Sequence, residues 1–526
     1  MAPRVLISDK LSPLAKKIFE ERGIDVDVKV GLDKEELAEI IGDYEGLAIR
    51  SATKPNEKIL AAAKNLKVIG RAGIGVDNVD IKAATANGVI VMNTPFGNSI
   101  TTAEHAISMM MALARQIPEA NTSTHAGKWE KSKFMGVEVT NKTLGVIGCG
   151  NIGSIAAERG IGLKMKVIAF DPFLTAERAV EIGVEKVELD DLFKRADFIT
   201  LHTPLTDKTK NIINAEAIEK MKDGVRIVNC ARGGLVDEAA LRAALDSGKV
   251  AGAAFDVFAE EPAKENVLFN APNMICTPHL GASTDEAQVN VAVQVAEQMS
   301  DYLLTGAITN AINFPSVSAE EAPRLRPYAQ LAEQLGLFAG QLIETGLKEI
   351  RVEFVGDIGE MNTKTLTAAA VCGVMRPQSA DINMVSATVN AQERGIVIEE
   401  TKRGAEGAYG CYMRLTVKTE RQERSVAGTV FSDGKPRIIQ VRGINMEAAL
   451  DSEMLYIENT DKPGFIGALG TVLGKANTNI ANFNLGREEE GGNAIALIGV
   501  DNRVTDDVLD AARNLEHVVE AKSLSF

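Results

Sequence analysis

From residue 5 onward, short β-branched runs alternate with stretches of helical spacing. VLISD (5–9), VDVKV (26–30), GLAIR, KVIGRAG and VIVMN read as buried strands. The intervals around 12–22 and 34–41, then ILAAA and IKAATA, read as helices. Alternation of this kind predicts a doubly wound parallel sheet. The run NTPFGNSITTAEHAISMMMALARQIP (93–118) breaks the rhythm: Pro95 and Gly97 punctuate it, Ser99 or Thr101 is placed to cap, and a long apolar helix follows. A polar loop, HAGKWEKSKFMG, holds the only tryptophan, Trp129. A second strand–helix series then runs from TLGVIG to about His279 and predicts a second sheet of the same kind.

The long helical pattern at 284–304 leads away from the second series and is expected to return to the first lobe, which makes that lobe discontinuous. NFPSVSAEEAPRLRP (313–327) carries three prolines and charge and reads as a linker. Residues 328–450 open with one helix and continue through strand candidates IRVEFVG, DINMVSATVNAQ, YMRLTVKT and SVAGTVF, with the turn SDGKP between the last strands. That is an α+β intervening domain. The last segment reads strand, helix, strand, strand, helix, strand, the ferredoxin-like βαββαβ order. The expected domains are therefore 1–97 with 284–312, 98–283, 313–451 and 452–526. The fold class is α/β, two doubly wound Rossmann-like lobes followed by the α+β and βαββαβ domains.

A chain of 526 residues is too long for one core, in line with several domains. With 57 basic against 72 acidic residues the net charge is −15, which argues against broad binding to nucleic acid or anionic membranes. An anionic ligand then needs a local basic pocket. The N-terminus turns straight into a strand without a long apolar signal, and no run reaches the roughly eighteen apolar residues of a membrane span. Five scattered cysteines without a C-x-x-C pair fit free thiols in a reducing cytoplasm and no metal site.

The strongest local signal is TLGVIGCGNIGSIAAERG, where an apolar strand runs into Gly148, Gly150 and Gly153 and then a helix. The first glycine permits the turn, the second lets backbone approach a pyrophosphate, and the third lets helix and strand pack closely. The next strand, KVIAFDP, ends in Asp171, placed to meet ribose hydroxyls, and no arginine follows to hold a 2′-phosphate. NAD is favoured over NADP. Three more strands end in chemistry: Arg232 after VRIVNC, Asp256 and Glu261 after VAGAAF, and His279 after NMICTP. Arginine can grip a carboxylate through its planar fork, though taken alone Arg232 fits a surface ion pair better. Histidine suits acid–base work near neutral pH. His202, at the end of FITL, is a rival to His279 on position alone.

In order and spacing, GCGNIG…D, HTPL, NCARGGLVDE, DVFAEEP and PHLGAST closely resemble the D-isomer-specific 2-hydroxyacid dehydrogenases over roughly residues 1–310. The resemblance implies catalytic roles for Arg232, Glu261 and His279: His279 accepts the substrate hydroxyl proton, Glu261 tunes it, and Arg232 binds the carboxylate. It implies an NAD site lined by Gly148, Gly150, Asn151, Ile152, Gly153, Asp171, His202, Thr203, Cys230, Ala231, Arg232, Asp256, His279, Gly281 and Ala282. Within the family, GRAGIGVDNVD (70–80), VMNTPFGNS (91–99) and the C-terminal extension resemble the members that oxidise 3-phosphoglycerate for serine synthesis. Arg50, Ser51, Arg71, Ala72, Gly73 and Asn98 are then expected to face substrate, with Lys131 and Lys133 as weaker candidates from a neighbouring subunit. The tail resembles a regulatory ACT domain, which implies pairing across subunits in a homodimer or homotetramer and serine as effector at Asp461 and Asn479, with Asn459 third. The intervening domain resembles one that can carry an anion effector site. The rival readings are a glyoxylate or hydroxypyruvate reductase or D-lactate-type enzyme, and, outside enzymes, an NAD-sensing protein built like the corepressors of this fold.

Overall fold

In the computed structural model, which describes residues 2–379, 382–405 and 407–526, four sheets follow one another along the chain. The first is five-stranded and wholly parallel: Asp25–Val28 lies at one edge, then Arg4–Ile7, Gly46–Ile49, Val68–Arg71 and Ile90–Met92. The second has seven parallel strands with Thr143–Ile147 near its middle. Beside it the strand order reverses, with Lys166–Phe170 on one flank and Phe198–Leu201, Val225–Asn229, Val250–Phe255 and Met274–Cys276 on the other. Ligands bind at the carboxyl ends of strands at such a switch point.

Helix Asp285–Thr305, capped by the Thr284 side chain, runs back to the first sheet. A Cβ on Gly70 would meet Met299 Sδ at 2.2 Å, and one on Gly46 would meet Met299 Cε at 3.1 Å, so these strand glycines admit the returning helix. Helix Ser99–Ala114 joins the lobes. Neither serine nor threonine caps it as the pattern suggested: Asn98 holds the N-cap position, Ser99 Oγ donates to the Pro95 carbonyl, and Thr101 pairs with Thr284.

The stretch read as a linker is half structured. Phe314 and Val317 are buried, Val317 bridges to Ile308, and helix Ala322–Gln341 starts inside it with Pro323 in the first turn, where the missing N–H breaks no helical bond. The third sheet has six strands, one parallel pair (Leu347–Gly356 with Val397–Arg403) and antiparallel neighbours, backed by Ala322–Gln341 and a second helix, Thr363–Met375, that the pattern did not separate. DINMVSATVNAQ is not a strand. Asp381 lies outside the described residues; beyond it the Asn383 carboxamide accepts from the N–H groups of Val385 and Ser386 and turns the chain into helix Ala387–Glu393. The fourth sheet is antiparallel in the order Ile480–Arg487, Asn493–Val500, Glu453–Thr460, Val518–Ser525, the arrangement that βαββαβ connectivity produces.

One buried core runs from the first sheet through Phe314 and helix Ala322–Gln341 to Tyr456 and Leu497 of the last sheet. The seven-stranded lobe keeps two cores of its own, one on each face. The third and last domains also meet through Arg424 and Glu520 at 2.8 Å and through Arg442 paired with Glu458.

Candidate active site

Strand Thr143–Ile147 delivers Gly148 at φ 88°, where a Cβ would come within 2.5 Å of the His202 carbonyl oxygen. Gly150 has open space where its Cβ would stand and forms the N-cap of helix Asn151–Gly162 with no side chain capping it. The first-turn N–H groups are thus free for an anion, with the positive end of the helix dipole behind them. A Cβ on Gly153 would meet the Gly148 carbonyl oxygen at 1.9 Å, so only glycine lets the helix lie this close to the loop. Asp171 ends the neighbouring strand; its carboxylate accepts from the N–H groups of Cys149 and Phe173, both at 2.8 Å, which ties the loop and leaves lone pairs for ribose hydroxyls. These residues fit NAD. Asn151 is exposed, Ile152 and Thr203 are half-buried beside the loop, and Ala231 donates its N–H to Asn229. Cys230 is buried against Met109 Sδ at 3.5 Å, and burial pushes its thiol up.

His202 and His279, equal on position, differ in environment. His202 Nε2 meets Thr200 Oγ1 at 2.9 Å, its Nδ1 is buried without a partner, and burial pushes its pKa down to about 4. It is a neutral wall of the glycine loop. His279 Nδ1 stands 2.6 Å from Glu261 Oε2. The hydrogen bond that His279 donates to Glu261 raises the His279 pKa, against burial and the repulsion of Arg232. Burial works to raise that of Glu261, but His279 and the Phe258 N–H hold it below its ordinary value. The pair therefore fixes the ring and leaves Nε2 for proton exchange.

Asp256, expected at the cofactor, is fully buried, and its carboxylate is taken up by the chain: Thr277 Oγ1 at 2.6 Å and the N–H groups of Leu280 and Gly281 at 2.7 and 2.8 Å. The Gly281 carbonyl accepts from Thr102 Oγ1, and the Ala282 carbonyl from Gln288.

Arg232 reaches across to the first lobe, with Nε 3.2 Å from Asp77 Oδ2 and Nη2 in the space that a Cβ on Gly75 would fill. There it joins Arg71 and Arg50. Burial, then the neighbouring Arg232, lower the Arg71 pKa to about 10, so it stays charged at neutral pH, and its buried Nε has no partner. Gly73, at φ 143°, leaves room for Arg71 Nη1 and donates its N–H to Thr94. The Arg50 N–H is anchored by buried Asp9 at 2.6 Å. Ser51 is exposed beside it, the Ala72 side chain lies in the core, and Asn98 is buried with its Oδ1 unpartnered. Lys133 pairs with Glu130 on an exposed turn next to Trp129, itself 86% exposed. Sequence reasoning passed over Asp9, Asp77 and Thr94, since each acts through a partner distant along the chain.

The effector candidates are not brought together within one chain. Asp461 follows Thr460, which pairs with Asn493, whereas Asn479 precedes Ile480, which pairs with Val500; the two stand at opposite ends of the last sheet. Asp461 is paired with Arg487 and Asn479 donates to Asp501, both at 2.8 Å. Asn459 is buried, with its Oδ1 unpartnered. Among the described residues no cluster of metal-binding side chains is found and no helix is long and apolar enough to cross a membrane.

The glycine loop at the switch point, with Arg232, Glu261 and His279 beyond the ends of neighbouring strands, is the arrangement expected of an NAD-dependent dehydrogenase of the D-isomer-specific 2-hydroxyacid type; residues 107–281 match the NAD-binding domain of that family. Residues 324–442 match the D-3-phosphoglycerate dehydrogenase intervening domain, and residues 454–517 the ACT domain. The chain belongs to the D-3-phosphoglycerate dehydrogenase family. It is 44% identical to the D-3-phosphoglycerate dehydrogenase of Synechocystis sp. over 99% of this chain and 95% of that one. The enzyme of the same name from Archaeoglobus fulgidus is 42% identical over 98% of this chain and 99% of its own. Among solved structures, a glyoxylate reductase from Paecilomyes thermophila is 30% identical with a TM-score of 0.55, covering 59% of this chain and 98% of its own.

Proposed function

We propose that the chain oxidises 3-phospho-D-glycerate to 3-phosphohydroxypyruvate with NAD, the first step of phosphorylated serine synthesis, in the cytoplasm. The observation that carries this reading is Arg71, half-buried and charged with a buried, unpartnered nitrogen, grouped with Arg50 and Arg232, the last of which also acts on His279 of the His279–Glu261 pair. Arg50 and Arg71 hold the phosphate, and Arg232 holds the carboxylate and polarises the C2 oxygen. His279 takes the hydroxyl proton on Nε2 while Glu261 stabilises the imidazolium. Bound NAD supplies the acceptor for the C2 hydride. The Gly148–Gly153 loop grips the pyrophosphate and Asp171 the ribose. Residues 1–97 with 284–312 form the substrate lobe and 98–283 the NAD lobe, and lobe closure keeps water from the reacting carbon.

Serine is the effector in this reading, and the chain works as a homodimer or homotetramer. The separation of Asp461 from Asn479 supports it, because a small amino acid touching both needs one residue from each of two chains.

The deciding assay follows NADH absorbance with 3-phosphoglycerate and with unphosphorylated glycerate and lactate, for the native enzyme and Arg71→Met. Native kcat/KM should favour the phosphorylated acid, and R71M should lose about a hundredfold of that preference, as expected for one lost charge-assisted contact. Equal kcat/KM for all three acids would sink the assignment.

A further inference from the structure

We propose that His105 is a positioning residue for His279, acting through Asp256 on the loop from Thr277 to Gly281. The inference rests on the reading of His279 as the base.

Helix Ser99–Ala114 places Thr102, His105 and Met109 on one face by their three- and four-residue spacing. All three touch the loops that carry the chemistry. Thr102 Oγ1 donates to the Gly281 carbonyl at 2.8 Å, and Met109 Sδ accepts from Cys230 Sγ at 3.5 Å and lies 3.6 Å from Thr277 Oγ1. Between them His105 Nε2 lies 3.3 Å from Asp256 Oδ1 and 3.4 Å from Thr277 Oγ1. An ionised carboxylate only accepts, and the Thr277 hydroxyl already donates to it, so the His105 nitrogen facing Oδ1 is the one that carries a proton.

Asp256 is 0% exposed, and a buried carboxylate is costly unless every oxygen is satisfied. Its donors come from two elements: Thr277 and the N–H groups of Leu280 and Gly281 from the catalytic loop, and His105 from the helix. The Asp256 carbonyl also accepts the N–H of His279 at 2.9 Å. Both ends of one residue thus clamp the backbone around His279, which sits at φ 57°, an uncommon conformation for a side chain of this size. Withdrawing the His105 donor leaves Asp256 to seek another partner, and the nearest are the loop groups that set the His279 ring against Glu261. The charged groups acting on His279 are Glu261, Asp256 and Arg232, and none lies on the helix that bears His105. His105 therefore acts by geometry and not by direct charge. The same helix begins at Ser99, just past the N-cap Asn98 where the chain leaves the first lobe.

The test compares His105→Gln, whose amide nitrogen can occupy the place of Nε2, with His105→Asn, which is too short to reach it, and with His279→Asn in parallel. H105N should lose about tenfold in kcat, the scale of a misplaced catalytic group, with NAD affinity in a fluorescence titration unchanged. Its acid limb in kcat/KM against pH should move to lower pH, because a loosened Glu261 hydrogen bond raises the His279 pKa less. H105Q should recover most of the native kcat and the native limb. Native kinetics in H105N, H105Q as impaired as H105N, or lost NAD affinity with native kcat in H105N would each overturn the inference. If H279N kept its turnover, the reading of His279 would fall first and this inference with it; collapse of H279N beside an unaffected H105N would refute His105 alone.

Discussion

In the proposed mechanism, Glu261 sets the pH at which His279 can act. Oxidation needs the ring unprotonated, so activity rises as pH climbs through a His279 pKa held above its ordinary value by the Glu261 hydrogen bond. In Glu261→Gln that support is lost, and the acid limb of kcat/KM should shift down towards the ordinary value of about 6.5. Turnover should fall about a hundredfold as the ring loses its orientation. A full pH profile of the variant checks both, and an unmoved limb would remove Glu261 from the tuning role. Position in the sequence could not separate His279 from His202, since both follow short apolar strands. What separates them is tertiary: a carboxylate from another strand end reaches one ring, while packing closes over the other.

At the scale of elements, the glycine loop was readable because its constraint is local. Three glycines at fixed spacing between an apolar run and a helix state the turn, the approach and the packing in ten residues. The structure adds how little slack remains. In Gly153→Ala the new Cβ would stand 1.9 Å from a backbone oxygen, which no side-chain rotation can relieve. We expect a loss of about 1–3 kcal/mol in stability, the usual range for an overpacked site. NAD should also bind about tenfold more weakly as the helix N-terminus withdraws from the loop. Thermal melts and NAD titration measure the two, and native affinity in a destabilised variant would show that the loop and helix can part without harm. The apolar residues of DINMVSATVNAQ suit a strand, and only the Asn383 turn and the burial of Ala387 and Ala391 settle Ala387–Glu393 as helix. The face formed by Thr102, His105 and Met109 was invisible for the opposite reason: on an apolar helix those residues look like ordinary packing until their partners, more than a hundred residues away, are in place.

Across the whole molecule, the order of domains follows from the rhythm of strands and helices, but their attachments do not. The chain joins its third and last domains with two arginine–glutamate pairs, and the Arg424–Glu520 pair is largely withdrawn from solvent. Breaking either side of such a pair is far more costly than never having made it, which fixes the arrangement without adding much to its strength. The apolar continuity is the stronger tie. It links the first lobe, the third domain and the last sheet into one buried body and leaves the seven-stranded lobe with separate cores. Heat should therefore melt the protein in two calorimetric steps. Saturating NAD should move only one of them upward, by about 2.7 kcal/mol of added stability at a hundredfold excess over Kd. A single endotherm, or two that shift together, would mean that the lobes share their cooperativity. With two steps, the cofactor-binding lobe can fail on warming while the body that joins the first lobe to the third and last domains still stands.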